Sequence, residues 1–435
     1  MGNGWRRWIG AFCLAILLST ATGAYGQTDL YVRGAGRLIP LAVQTLCLDG
    51  IDSGPETRVP TTVSKDLDIS GYFELLSSKS FIEDVSKCRS DATTYSDWSV
   101  LGVEGLIKGH VSGERGNLQV QLFLHDVQKQ MVVLAKQYQG TWAQLQDMGH
   151  RFANEVVRFY TGLPGVFGTK IAFSSRVGRF KELFIMGMDG SGLKQLTNDR
   201  GLALSPAWNP AGDQIVFTSY RNRVPDLFLY DVLSGRIRRL TKSKELEVGA
   251  HFLNANQIVY SRAEGADSDI VVMNLDGSGL RRLTPKNRAI DVSPVPTLDG
   301  SRIAFCSNRG GSPQIYVMDA DGSNVRRVSF GASSYCTSPA WSPDGNKIAF
   351  VCRADRGFNI FVSNSDGSQP VQLTSYGDNE DPEFSPDGRY LTFATTQFGG
   401  GFSLAIMQVD GTSVRRISSS RGGDFEPTWS SAAGG

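Results

Sequence analysis

Beyond residue 165 the apolar positions fall into a repeat. A β-branched and aromatic triplet returns as Ile171-Ala172-Phe173, Ile215-Val216-Phe217, Ile258-Val259-Tyr260, Ile303-Ala304-Phe305, Ile348-Ala349-Phe350 and Leu391-Thr392-Phe393, at intervals of 44, 43, 45, 45 and 43 residues. Each triplet is short and nearly unbroken, the pattern of a strand buried on both faces. An alternating segment follows, such as Gln314–Asp319, then a turn such as Asp276-Gly277-Ser278-Gly279 and a short piece such as Arg281-Arg282-Leu283-Thr284. The unit ends in Ser338-Pro339-Ala340-Trp341-Ser342-Pro343-Asp344-Gly345 or a relative of it. Asp-Gly supplies positive φ without a Cβ clash, and the preceding Pro fixes φ at the first corner. Four strands joined by tight turns, recurring every 40 to 50 residues or so, predict an all-β six-bladed propeller over residues 164–435.

The ring closure is also legible. Trp208, Phe252, Pro296, Trp341, Phe384 and Trp429 form one column, on the strand before each Pro-Asp-Gly-like turn. The first triplet has no such strand before it, and residues 425–430 have no triplet after them. The C-terminal strand is therefore expected to complete the first blade as its innermost strand, leaving no free edge. Pro296 cannot donate a ladder hydrogen bond, so the inner strand of its blade is expected to be weaker there. Arg pairs at 238–239, 281–282, 326–327 and 415–416 fall on the last strand of their blades, where charge discourages edge pairing.

Residues 27–163 lack the repeat. They predict a small α/β domain: a strand over 37–46, a helix over 59–71, a short helix over 94–101, and strands over 103–111, 117–127 and 131–138. A last helix over 142–160 carries apolar residues at 145, 148, 152, 156 and 159, an amphipathic spacing. Residues 1–26 read as an export signal. Arg6 and Arg7 precede an apolar run from Ile9 to Leu18, and Ala24-Tyr25-Gly26 resembles a cleavage site. The run is too short for a bilayer core of about 30 Å, so no membrane insertion of the mature chain is expected.

Composition narrows the function. The 44 Lys plus Arg balance 43 Asp plus Glu, which excludes a basic nucleic-acid binder. Of the cysteines, Cys47, Cys88, Cys306, Cys336 and Cys352 remain after cleavage, an odd number without a C-x-x-C pair. Cys47 and Cys88 are the one pair available within the N-terminal region, while Cys306 and Cys352 end strand runs and read as small buried hydrophobes. The chain has no Gly-x-Ser-x-Gly elbow and no His-Glu-x-x-His pair. His125, on a strand, and His150, on a helix, read as structural. The run from Asp319 to Asn324 lacks the glutamate that would complete a calcium loop and falls in a hairpin turn. No catalysis, metal or cofactor is expected.

A propeller without catalytic residues reads as an interaction platform, its loops gathered around one end of the central channel. Residues just before the Pro-x-Trp column have the best access to a partner there. These are Ser205, Gly249, Asp291, Val292, Ser293, Tyr335, Thr337, Ser338, Asn379, Glu380, Asp381 and Glu426.

Several segments resemble the TolB family, the periplasmic components of the Tol–Pal envelope system. The similar elements are the export signal, the α/β domain with Asp97-Trp98-Ser99-Val100-Leu101-Gly102-Val103, and the passage Phe167-Gly168-Thr169-Lys170 into the first triplet. The propeller repeats and the ending Glu426-Pro427-Thr428-Trp429-Ser430 complete the likeness. It implies a non-enzymatic periplasmic scaffold that binds the peptidoglycan-associated lipoprotein at the propeller mouth. It also implies that the segment after the signal, 27–36, binds TolA. There Asp29, Leu30, Tyr31 and Val32 can add as an edge strand to another sheet. The chain departs from better-known members at Leu246, Val292 and Ser293, where those carry polar or acidic residues. The alternative reading is a propeller module of a periplasmic peptidase or glycan-processing system.

Overall fold

The computed structural model describes residues 37–431 apart from 223, 287 and 419–421. The N-terminal unit runs β1 (Ile39–Val43), β2 (Cys47–Asp49), α1 (Pro55–Ser70), β3 (Phe73–Leu75), α2 (Tyr95–Val100), β4 (Gly105–Glu114), β5 (Asn117–Asp126), β6 (Met131–Gly140) and α3 (Leu145–Thr161). Its sheet has the order β3-β1-β4-β5-β6, with β2 also on β4. The strand expected over 37–46 is therefore two strands, interrupted where the chain leaves the ladder at residues 44–46.

Helix α1 begins before residue 59, with Pro55 in its first turn, and carries Pro60 inside it. Pro60 has no amide to donate to the Glu56 carbonyl. The Leu46 amide takes that carbonyl instead, at 3.0 Å, tying the break between β1 and β2 to the helix. Gly71 caps α1 in the left-handed region, with φ 73°, and a Cβ there would lie 2.0 Å from Gln408 Nε2 of the propeller. The helix expected over 142–160 opens as a 3-10 turn with a Thr141–Gln144 capping box and continues as α3. Leu145, Met148, Phe152 and Val156 are buried as its spacing requires, but Phe159 is half exposed against Tyr160.

Six four-stranded antiparallel sheets follow. Their inner strands are Ala203–Trp208, Leu246–Asn254, Asp291–Pro296, Cys336–Trp341, Asn379–Phe384 and the closing strand Asp424–Trp429. The closing strand pairs with Lys170–Val177 and completes blade 1. Lys170 and Ser430 exchange hydrogen bonds of 2.9 and 2.8 Å, and Trp429 Nε1 donates to Thr169 Oγ1 at 2.8 Å. Pro296 sits at the end of its ladder, opposite Ile303.

The repeat has a physical cause in each blade. The hydroxyl of Thr197, Thr241, Thr284, Ser329, Thr374 or Ser418 accepts from the third-strand amide of Leu183, Leu227, Ile270, Ile315, Ile360 or Leu404, at 2.8–3.0 Å. The Arg pairs do more than guard edges. Arg238, Arg281 and Arg326 each donate to a turn carbonyl of the next blade, those of Leu275, Asp321 and Ser365. Arg415 reaches Asp68 of α1 instead.

Cys47 is bridged to Cys88, and Cys336 to Cys352 across neighbouring strands, their Cα atoms 4.1 Å apart. This corrects the reading of Cys352 as a free buried hydrophobe. The inner-strand Cys336 lies directly opposite it, so the pair can bond. Cys306 is free and buried.

The first propeller blade, the sixth and the N-terminal unit share one apolar core, in which Phe73, Phe152 and Phe167 meet Phe173, Leu404 and Trp429. Polar contacts tie the same boundary. Tyr390 Oη donates to the Ser70 carbonyl at 3.2 Å, Arg389 Nη2 to the Pro164 carbonyl at 2.7 Å, and Lys65 pairs with Asp189 at 3.2 Å.

Truncating the large buried side chain of the closing strand tests this architecture. Trp429→Ala should cost about 3–5 kcal/mol and shift a single unfolding transition of the whole propeller. A calorimetric scan showing loss of one blade only, with the rest unfolding at the original temperature, would refute closure as a cooperative feature.

Candidate protein-binding interface

Each inner strand breaks register in the middle. The ladder skips between Leu204 and Ala207, Val248 and His251, Val292 and Val295, Thr337 and Ala340, Glu380 and Glu383, and Phe425 and Thr428. At these bulges Ser205, Gly249, Ser293, Ser338, Asp381 and Glu426 hold φ of 49°, 64°, 54°, 49°, 52° and 52°. All but Gly249 precede a proline. Non-glycine residues held in this region cost about 1–3 kcal/mol each, so the surrounding ladder must enforce them. The result is a ring of six residues, one per blade, around a chamber of about 150 Å³ at the mouth of the channel.

Four of the six ring residues are linked by hydrogen bonds. Ser338 Oγ donates to Asp381 at 3.1 Å, the Glu426 amide donates to the Asp381 carboxyl, and Ser205 donates to Glu426 through its amide (2.9 Å) and hydroxyl (3.2 Å). The amides of the remaining two, Gly249 and Ser293, donate to the hydroxyls of Thr218 and Ser261 in the preceding blade. Burial, then the charges of Glu426 and Glu380, push the Asp381 carboxyl up to about 7, although the Ser338 hydroxyl opposes the shift. Glu380 is raised too, by burial and by Asp378.

The other residues singled out from the sequence divide in two. Val292, Thr337 and Glu380 stand half-buried beside the ring, and Tyr335 is exposed against Phe358. Asp291 and Asn379 are fully buried, which corrects their reading as accessible contacts. They begin their inner strands, where the side chain points into the blade. Asp291 pairs with Arg309 at 2.9 Å, and Asn379 bonds Thr395 and Asn359. Asp29, Leu30, Tyr31 and Val32 lie outside the described residues.

Leu202, Ile290, Asp378, His251 and Glu383 escaped the sequence reading of the channel. The position three residues before each ring residue gives Leu202, Leu246, Ile290 and Tyr335 on four consecutive blades, all exposed. Across the mouth from them, blades 6 and 1 present Asp378, Glu380, Asp381 and Glu426. The mouth is thus an apolar arc facing an acidic arc. Aligning the repeats one column earlier would have exposed the apolar half. Deeper in the channel, His251 and Glu383 occupy equivalent positions three blades apart and line both the mouth chamber and a second one of about 190 Å³. Burial pushes His251 down to about 4 and Glu383 up to about 8, each toward its neutral form.

A six-bladed propeller fused to an N-terminal α/β unit places the chain among the β-propeller repeat proteins. The chain belongs to the TolB family. The TolB beta propeller domain matches residues 157–433 and the TolB amino-terminal domain residues 32–133. The Tol-Pal system protein TolB of Anaeromyxobacter dehalogenans (strain 2CP-C) is 35% identical over 291 residues, 66% of this chain and 67% of that one. A protein TolB homolog of Chlorobium chlorochromatii is 34% identical over 274 residues, 62% of each chain. The crystal structure of TolB from Acinetobacter baumannii superposes with a TM-score of 0.80 at 27% identity, covering 91% of this chain and 97% of that one.

The raised pKa of Asp381 has a defined sign. Ionising this carboxyl opposes folding, so its penalty is absent below about pH 4, grows as pH rises toward 7, and is complete above that. Carbon-detected NMR should find the Asp381 carboxyl titrating near 7, and Glu426→Gln should move it downward. A midpoint near 4 in the native protein would contradict the coupling drawn here.

Proposed function

We propose that the chain is a non-enzymatic periplasmic scaffold of the Tol–Pal system. It binds the peptidoglycan-associated lipoprotein at the propeller mouth and TolA through residues 27–36, supporting outer-membrane integrity and constriction during division. The observation that carries the reading is the mouth itself. Clustered exposed apolar side chains mark protein-binding sites, and Leu202, Leu246, Ile290 and Tyr335 are exposed at equivalent positions on four consecutive blades, each three residues before a ring residue. The facing carboxylates select a partner with basic or hydrogen-bond-donating groups, and charge complementarity of this kind sets specificity and encounter rate. Family membership supplies the system in which that partner is sought.

The non-enzymatic reading is supported by what occupies the titratable side chains. His125 is held between Ser90 and Tyr95, at 3.0 and 2.9 Å. His150 is bonded to Asp66 at 2.7 Å and His110 stacks on Phe123. The run from Asp319 to Asn324 closes on itself, with Asn324 donating to Asp319 at 2.6 Å and the Ser323 amide to Asp321 at 2.8 Å. For the N-terminal segment, docked and free states would compete, so lipoprotein and TolA affinities would change each other by the same factor.

Tyr335→Asp, or Glu380→Lys combined with Asp381→Lys, should weaken binding of the soluble lipoprotein by at least about tenfold while the melting curve stays cooperative. Deleting residues 27–32 should remove TolA binding and spare lipoprotein binding. Wild-type lipoprotein affinity in both mouth variants would sink the assignment of the mouth. Wild-type TolA affinity in the deletion would sink that of the segment.

A further inference from the structure

The N-terminal unit contains a second recessed site, remote from the propeller mouth. A groove of about 670 Å³ opens between α1 and the chain that follows β3, with the end of β1 as its floor. Small-ligand and peptide sites typically occupy about 300–1,000 Å³. Val43 and Gln44 form the floor, Thr61 and Ser64 line the α1 side, and Leu76 and Phe81 line the opposite side.

The groove arises from sheet topology. β3 pairs with β1 only from Ile39 opposite Phe73 to Leu41 opposite Leu75, and the ladder ends as the Leu76 amide donates to the Leu41 carbonyl at 2.9 Å. The chain then turns away into Ser77 and Ser78, while β1 continues to Val43. The Gln44 amide donates to the Ile107 carbonyl of β4, at 3.0 Å. Backbone groups alternate sides along a strand, so Val43 directs its own toward the side that β3 has left. At the far end the Cys47–Cys88 bridge limits the open edge. The Leu46 amide is already taken by the Glu56 carbonyl, so the open edge ends before Leu46.

A second observation points to what would fill it. Gln44 is only 2% exposed, and its Oε1 has no hydrogen-bond donor. A buried acceptor left unmade costs about 1–3 kcal/mol, so this oxygen selects a ligand that brings an N–H. The one carboxylate at the groove, Glu83, is already committed. It accepts from Lys108 Nζ at 2.8 Å, Trp98 Nε1 at 3.1 Å and the Thr94 amide at 2.6 Å. The site therefore offers hydroxyls, an amide oxygen, a strand edge and apolar walls, with no free charge for an ionic ligand.

We propose that this groove binds a short peptide segment in extended conformation, three or so residues long, which continues the line of β3 beside Val43 and donates an N–H to Gln44 Oε1. Main-chain pairing supplies affinity and the walls select small or β-branched side chains. The proposal is independent of the propeller mouth.

The test uses the whole protein, isotope-labelled, and a panel of acetylated, amidated tetrapeptides in which Val alternates with Ser or Thr. Saturable binding should shift the Val43 amide and Gln44 side-chain resonances. Gln44→Leu should weaken it at least tenfold without lowering the melting temperature, since it removes an unpartnered polar atom. Thr61→Trp, at an exposed position on the groove wall, should abolish binding, and Ser64→Phe provides a second block should the first perturb folding. No binding at millimolar peptide, binding that survives both blocking variants, or binding of N,N′-diacetylchitobiose in place of the peptides would each overturn the proposal.

Discussion

A ring of six sheets has to close, and here one strand closes it. Asp424–Trp429 pairs with the strand that begins the propeller, some 250 residues earlier in the chain. Without that pairing, blade 1 would lack its inner strand, and Lys170–Val177 would present a free edge. Closure also fixes the N-terminal unit. Trp429 donates to Thr169 and joins the same apolar core as Phe152 and Phe167. Blade 6 reaches that unit through Arg389, Tyr390 and Arg415. From blade 2 to blade 5, Arg238, Arg281 and Arg326 fasten one blade to the next. The place of Arg415 is the informative exception, since its partner Asp68 belongs to α1 and not to a blade.

The closed ring makes the mouth chemically possible. Inner strands held on both sides can keep Ser205, Ser293, Ser338, Asp381 and Glu426 at positive φ before proline, a conformation an isolated strand would release. The same constraint brings Asp381 and Glu426, from different blades, into one hydrogen-bonded arc. Their proximity, together with burial, raises Asp381 to about 7. Scaffold strain and the mouth's electrostatics thus share one cause. The proposed lipoprotein contact would read both the acidic arc and the apolar arc opposite it.

Much of this was legible in the sequence because the repeat carries its own register. The triplets, the turn column and the missing inner strand at residue 171 gave blade number and closure. The ring residues followed from their place before the Pro-x-Trp column. What stayed hidden depends on direction and on distant partners. Asp291 and Asn379 sit beside accessible neighbours in sequence, but strand alternation turns them inward, onto Arg309 and Thr395. The Cys336–Cys352 bridge needs the cross-strand register, which sequence alone leaves open. The break between β1 and β2 depends on the amide that Pro60 lacks and on the Leu46 bond that replaces it. Leu202, Leu246 and Ile290 are unremarkable singly and become a surface only when four blades are set side by side.

The central claim is that closure builds a partner-binding face at the bulged end of the inner strands. Hydrogen–deuterium exchange of the protein with and without soluble peptidoglycan-associated lipoprotein tests it directly. The account predicts added protection at residues 202–205, 246–249, 290–293, 335–338 and 378–381, and none at the turns 297–300, 342–345 and 385–388 at the opposite end of the channel. Protection confined to those turns, or to the outer strands, would contradict it.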